Sequence, residues 1–365
     1  MAADKAEKGR ILDAVCKVAS VHRKAAIRRF RTLQMRDGAR RDRRGRKVVY
    51  GKTVVAALRD TWEVLNRVCA ERLKPHIAEH IRVMRRDGLW PHDAAATTLL
   101  LHMSLGTMKA KIAGFENVKK KGGRGTTKPS DLKEIIPVRK GPWQNPPPGF
   151  GEVDTVAHCG ITLIGDYCYT VQYTDVATIW TCLAGQWQKG EKETVRSISR
   201  IKDRLPFKLL GIDPDSGGEF INWHLEEWCR TRNIRMTRTR PYMKNDHARI
   251  EQKNYANVRH VVGYTRFDDE RQVAVLNELY DALEDYINFF LPSMKCVRKE
   301  RIGSRYVKQY DQAKTAYARV LERNDVTDDV KNKLQAKYAT LNPKKLKDEC
   351  DRLVRKLLAV RPKLR

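Results

Sequence analysis

Apolar side chains recur at helical spacing from the start of the chain. Ile11, Leu12, Val15 and Val18 mark one helix, Ser20 offers an N-cap, and Ile27 and Phe30 supply the core side of a second over about 22–33. Two short helices with a tight turn predict a helix-turn-helix. Val54, Leu58, Trp62 and Leu65 predict a helix over 53–72, and another follows over 77–86 before Asp87-Gly88 and Pro91 break the pattern. Asp93 and Ser104 then cap a second candidate pair, running through Leu101 and through Ala113. Past Gly149 the periodicity changes. Residues 151–164, 167–175 and 179–186 read as strands, followed by helix 193–205, strand 207–212, helix 219–232, strand 234–239 and helix 244–262. Three strands in sequence and then alternating helix and strand predict an α/β mixed sheet covered by helices, which suits an RNase H-like core. Near the end, Thr327 with Asp328 and Asp329 opens one helix, and Asn342-Pro343 opens another with Leu346, Leu353 and Leu357 on one face.

Composition narrows the class. The 365 residues are 41% apolar and 32% charged, enough for two or three cored domains. No apolar run approaches the ~20 residues of a bilayer span, and Met1 to Arg10 holds no apolar signal core, so a cytosolic protein is expected. The eight cysteines stand singly, with no C-x-x-C pair, so reduced thiols are expected. His76 and His80 are four apart, but no cysteine pair completes a zinc set, and they read as packing residues. Trp180, Trp187, Trp223 and Trp228 likewise read as core or interface.

Charge supplies the first functional clue. The net charge of +29 divides into +20 over residues 1–150, -3 over 151–290 and +12 over 291–365. A near-neutral centre between two polycationic flanks predicts nucleic-acid binding by the flanks, because neutralised phosphates release counterions. Arg23, Lys24, Arg28 and Arg29 on the second helix are donors suited to phosphates and guanine edges. The segment from Glu116 to Pro148, with Lys-Lys-Lys-Gly-Gly-Arg-Gly and Asn-Pro-Pro-Pro-Gly, reads as a linker. The expected organisation is therefore a helix-turn-helix DNA-binding region over 1–115, a basic linker over 116–148, an α/β catalytic core over 149–290 and a mainly helical basic region over 291–365, for DNA binding and oligomerisation.

Three acids stand out. Asp154 lies within the first strand, Asp215 just beyond the strand ending at Ile212, in Asp213-Pro214-Asp215-Ser216-Gly217-Gly218-Glu219-Phe220, and Glu251 in a helix. Carboxylates converging from strand ends and a helix can hold hard divalent ions. By spacing alone the pattern is weak, since 44 acids allow many chance triplets. The segments GFGEVDTVAHCG (149–160), GIDPDSGGEFIN (211–222) and RPYMKNDHARIEQKNYANVR (240–259), with 35 residues between Asp215 and Glu251, closely resemble the core of DDE transposases and retroviral-type integrases, in one bacterial insertion-sequence branch. The likeness runs on through Phe289–Lys295 to Leu321. Ser216 stands where the family pattern has Asn, and Ala316 where the branch commonly has Pro.

The resemblance implies that Asp154, Asp215 and Glu251 are the catalytic and metal-binding triad, holding two Mg2+ ions that Mn2+ can replace. Asp213, two residues earlier, would make the last spacing 37 and is the decoy. Tyr242, Lys244 and Asn245 match positions near the cleaved phosphate, Lys253 and Asn254 share the helix of Glu251, with Lys253 read as a DNA contact or a solvent-facing charge, while His158 and Cys159 match the pattern without a derivable role. The implied function is a transposase that binds element ends, cleaves strands and transfers them to a target. The implied partners are double-stranded DNA of ends and target and further copies of the chain in a homo-multimer, with no membrane, no nucleotide cofactor and a cytoplasmic, nucleoid-associated location. The rival readings are a catalytically inactive domesticated DNA-binding regulator and a nuclease that hydrolyses without joining.

Overall fold

The computed structural model describes residues 4–34, 49–115, 146–214, 219–238, 253–302 and 305–360. By contact the chain falls into two units, 1–51 and 52–365.

The first unit holds helix α1 (Lys5–Ala19) and helix α2 (Arg23–Gln34). Asp4 caps α1 through the Glu7 amide. Ser20 closes α1 as a left-handed C-cap, rather than opening α2 as its residue type predicts. Ile27 and Phe30, expected in a core, are each 40% exposed, and Ala26 is the buried position of α2. Two helices alone offer too little inward surface to cover them.

In the second unit, α3 (Lys52–Val64) buries Val54, Leu58 and Trp62 as their spacing predicts. It stops eight residues short of the expected end, because Asn66 and Arg67 both take left-handed φ, at 57° and 56°. The short α4 (Ala70–Leu73) and α5 (Ile77–Arg86) follow, then α6 (Ala94–His102) and α7 (Leu105–Ala113), capped by Asp93 and Ser104 as expected.

The central sheet has the order β3-β2-β1-β4-β5, built from β1 (Phe150–Ala157), β2 (Cys168–Asp175), β3 (Thr181–Trp187), β4 (Gly211–Pro214) and β5 (Arg235–Met236). β1, β2 and β3 run antiparallel, whereas β4 lies parallel to β1 and β5 parallel to β4. Helices plus this mixed five-stranded sheet are consistent with an RNase H-like core. Every residue of β2 is buried, as a strand covered on both faces must be. β1 ends at Ala157 rather than Ile164. Gly160 and Gly165 take positive φ, and the Arg266 guanidinium donates to the carbonyls of Cys159, Thr162, Ile164 and Asp166, which holds the segment as a loop.

α8 (Glu191–Arg204) and α9 (Trp223–Thr231) flank the sheet, α9 starting at its Asn222 cap rather than at 219. Trp180 and Trp228 are buried as expected, but Trp223, in the first turn of α9, is 57% exposed. A π-helical turn (Asn254–Arg259) leads into the short α10 (His260–Val262), and α11 (Arg271–Phe290) follows. α11 closes the outer edge of β3. Its Asn277 exchanges hydrogen bonds with Gly185, Glu284 accepts from the Leu183 amide at 2.6 Å, and Asn288 exchanges bonds with Thr181. These side chains, spaced two and three helical turns along, satisfy the alternate backbone groups that an edge strand leaves open. Gly185 admits the helix, since a Cβ there would meet Leu276 Cβ at 2.9 Å.

After the ribbon β6 (Cys296–Ile302) and β7 (Arg305–Tyr310) come α12 (Ala316–Leu321), α13 (Asp328–Thr340) and α14 (Pro343–Ala359). These helices join α3–α5 and α11. Arg86 donates to Ala339 O and Leu341 O, Asn342 donates to Asp87, and Leu353 and Leu357 are buried. The leucine stripe is thus internal packing. The cysteines described in the structure are all free.

His158 acquires a structural role. It is fully buried, bonded through Nε2 to Thr170 Oγ1 at 2.7 Å and packed on Phe267, and burial pushes its imidazole down to about 3, aided by Arg259. As pH falls below about 6.5 the unfolded chain takes up a proton here that the folded chain refuses, so stability is lost on acidification. Between pH 6.5 and 4 wild type should lose about 3 kcal/mol relative to His158→Gln, read from denaturant midpoints at several pH values. Parallel curves would remove His158 as the cause.

Candidate active site

β1 runs beyond the end of β4. Glu152 pairs with Asp213 and Val153 with Pro214, the last described residue of β4, so Asp154 is the first β1 residue past that strand. Asp154 is half-buried. Its Oδ1 accepts from the Thr155 amide at 2.7 Å and its Oδ2 from Asn254 Nδ2 at 2.5 Å. The carboxylate is therefore oriented by its own strand and by the π-helical turn one hundred residues later.

Thr155 adds a second tie. Its hydroxyl donates to Glu219 Oε1 at 3.0 Å, and the same oxygen pairs with Lys189 Nζ at 2.6 Å. Glu219 is 5% exposed. The chain re-entering after β4 is thus fastened to β1 one residue from Asp154. Asp213 points to other work, since its carboxylate is buried and accepts from the Thr237 hydroxyl at 2.6 Å, linking β4 to the residue after β5.

Of the residues predicted from sequence, Asp215, Tyr242, Lys244, Asn245 and Glu251, together with Ser216, lie outside the described residues. Lys253 is half-buried at the start of the turn carrying Asn254. Burial, and then the like charges of Arg72 and Arg319, push its ammonium down to about 8. In the first unit Arg23 is partly engaged, its Nε bonded to Asp13 at 2.8 Å, while Lys24, Arg28 and Arg29 are exposed. Sequence reasoning placed Asn254 on the helix of Glu251 without giving it a partner, and did not single out Thr155, Glu219 or Lys189. Glu219 and Asn254 lie inside the quoted segments, yet nothing local signals partners 64 and 100 residues away.

Among the described residues no group of three or more His, Cys, Asp and Glu side chains could hold a metal ion. What is described does fit a hard cation. Beside the Asp154 carboxylate, Asn254 Oδ1 is buried without a hydrogen-bond partner among the described residues, a neutral oxygen of the kind that binds such ions. No helix among the described residues is long and apolar enough to cross a membrane.

No family model matches the chain. Among solved structures, the HTLV-2 integrase catalytic core domain in complex with magnesium aligns in its dimeric form at 12% identity over 41% of this chain and 93% of that one, TM-score 0.31. Its trimeric form aligns at 14% identity over 42% and 88%, TM-score 0.29. The fold assignment rests instead on strand order and register. Over 308 residues the chain is 37% identical to the uncharacterized protein y4rM of Sinorhizobium fredii (strain NBRC 101917 / NGR234), spanning 84% of this chain and 87% of that protein. That identity over most of both lengths places the chain in one family with y4rM of Sinorhizobium fredii.

Proposed function

We propose that the protein is a DNA transposase/integrase that binds element ends and catalyses metal-dependent strand cleavage and strand transfer. The observation that carries this is the Asp154 carboxylate, held between its strand and Asn254 at the point where β4 ends. Asp215 follows Pro214, the residue that pairs with Val153, directly in sequence. Glu251 precedes Asn254 by three positions in the sequence. Both relations support Asp154, Asp215 and Glu251 as the catalytic triad.

In this reading the three carboxylates hold two Mg2+ ions, with Mn2+ as a substitute, and Asn254 Oδ1 is a further oxygen beside them. Such ions, when bound, acidify a water or hydroxyl and stabilise the attacking and leaving oxygens of an in-line displacement. The chain's own residues do the rest. Asn254 and the Thr155 amide fix the direction of the Asp154 carboxylate, and Glu219, four residues after Asp215 in the sequence, is tied to Thr155 on β1. Tyr242, Lys244, Asn245 and Lys253 line the DNA near the cut phosphate, and Arg23, Lys24, Arg28 and Arg29 of a helix-turn-helix grip the terminal repeats. Two ends must meet one target, which calls for a homo-multimer on the DNA.

The test is purified protein with duplex DNA carrying the gene's flanking sequences. Mg2+ should yield ends with a free 3'-hydroxyl and products joined to a target, Mn2+ should support the same reaction, and chelation should stop it. Binding with no cut under any metal would make the protein a regulator, and cutting with no joined product would make it a nuclease. Either result overturns the proposal.

A further inference from the structure

Among the described residues, β6 and β7 pair only with each other. A two-stranded ribbon buries too little to be stable by itself in water, and here every residue of β7 is exposed. Val297, Ile302, Tyr306, Val307 and Tyr310 are 48–61% exposed. The root, by contrast, is fixed. Asp311 accepts from the Lys295 amide at 2.6 Å and from Arg319 Nη1 at 2.6 Å, while Arg319 also donates to Ser293 O. An anchored base thus carries an arm whose second strand is exposed along its whole length.

The register sorts the arm's charges. Arg298 and Glu300 sit on one set of alternating positions and pair at 3.1 Å. The other set places Lys299 opposite Lys308 and Arg301 opposite Tyr306, with Tyr310 further along, and holds no acid. Like charges set directly across a strand pair destabilise it. A polyanion laid along that set reverses the sign of the interaction, and the surrounding segment 291–365 is itself +12.

We propose that the β6–β7 ribbon is a DNA-gripping arm that lies in the major groove of duplex DNA, with positions 299, 301 and 308 meeting phosphates. The B-form major groove, about 12 Å wide, admits a two-stranded ribbon, whereas the deep, narrow A-form groove of duplex RNA does not. The inference adds a second surface to the function proposed above and takes from it only that the polyanion is DNA.

The experiment is a salt titration of full-length protein against short labelled duplex DNA in chelator, so that no strand is cut and the carboxylate triad is not at issue. Each lost phosphate contact lowers the slope of log affinity against log salt by about 0.9, so the triple variant Lys299→Ala, Arg301→Ala, Lys308→Ala should lower it by roughly 2–3. Lys308→Gln alone should lower it by about one, and serves should the triple variant fold poorly. A control triple at Lys333, Lys344 and Lys347, which pair with acids of their own helices, should leave the slope unchanged. An unaltered slope in the ribbon variants, an equal fall in the control, or equal binding of duplex RNA with equal loss would each overturn the proposal.

Discussion

Asp154→Asn should abolish strand cleavage and joining, a fall on the order of a thousandfold or more, while leaving folding and DNA binding close to wild type. The substitution keeps an Oδ1 acceptor for the Thr155 amide, and its new Nδ2 can donate to Asn254 Oδ1 once that amide turns over, so at this half-buried site about one hydrogen bond at most is at stake. What disappears is the anionic oxygen that a divalent ion needs. Glu251→Gln should behave in the same way. Asp213→Ala makes the informative contrast. It strips the Thr237 hydroxyl of its acceptor in a buried position, which costs about 1–3 kcal/mol, yet the folded fraction should retain its rate. Rates per folded molecule, with folding checked by thermal melts, separate the two. Full activity in Asp154→Asn, or a greater catalytic loss in Asp213→Ala, would move the chemistry away from the proposed carboxylates.

The sequence was legible where local rules suffice. The caps at Asp93 and Ser104 and the buried faces of α3 and α14 follow from cap chemistry and helical spacing alone. Asp154 drew notice by its place within a strand and by the resemblance of segment 149–160, whereas its tie to Asn254 had no local signal. The third element of the sheet, β3, hid its most consequential neighbour. Asn277, Glu284 and Asn288 read as polar positions of α11, and only the fold reveals that they complete the edge of the sheet. Glu284 also shows what that completion costs, since burial pushes its carboxyl up to about 8 against the opposing charge of Arg204. β6 and β7 escaped the pattern for another reason, because a ribbon exposed on both faces has no apolar alternation to read. The loop after β1 misled in the opposite direction. Ile161 and Ile164 look like strand core, but they are 97% and 83% exposed on a segment held by Arg266 from a distant part of the chain.

Glu219→Ala should lower the rate by about a hundredfold at temperatures where the variant stays folded, the scale on which small misplacements act on a catalytic constellation. Glu219 touches neither Asp154 nor, in the reaction proposed, the DNA; it is a positioning residue. Its carboxylate joins Thr155 on β1 to Lys189 after β3, and it opens the described chain after residues 215–218, whose other end is Pro214 beside Val153. Removing it leaves Lys189, which is 24% exposed, without its buried partner, and should cost roughly 2–4 kcal/mol after allowance for solvent around the lysine. Glu219→Gln keeps an acceptor for the Thr155 hydroxyl while dissolving the ion pair. Recovery of most of the rate in Glu219→Gln, with stability still reduced, would show that the hydrogen bond to β1 sets the geometry and the ion pair sets the stability. Equal rates for Glu219→Ala and wild type below both melting temperatures would mean that the turn holds its catalytic residue without this tie.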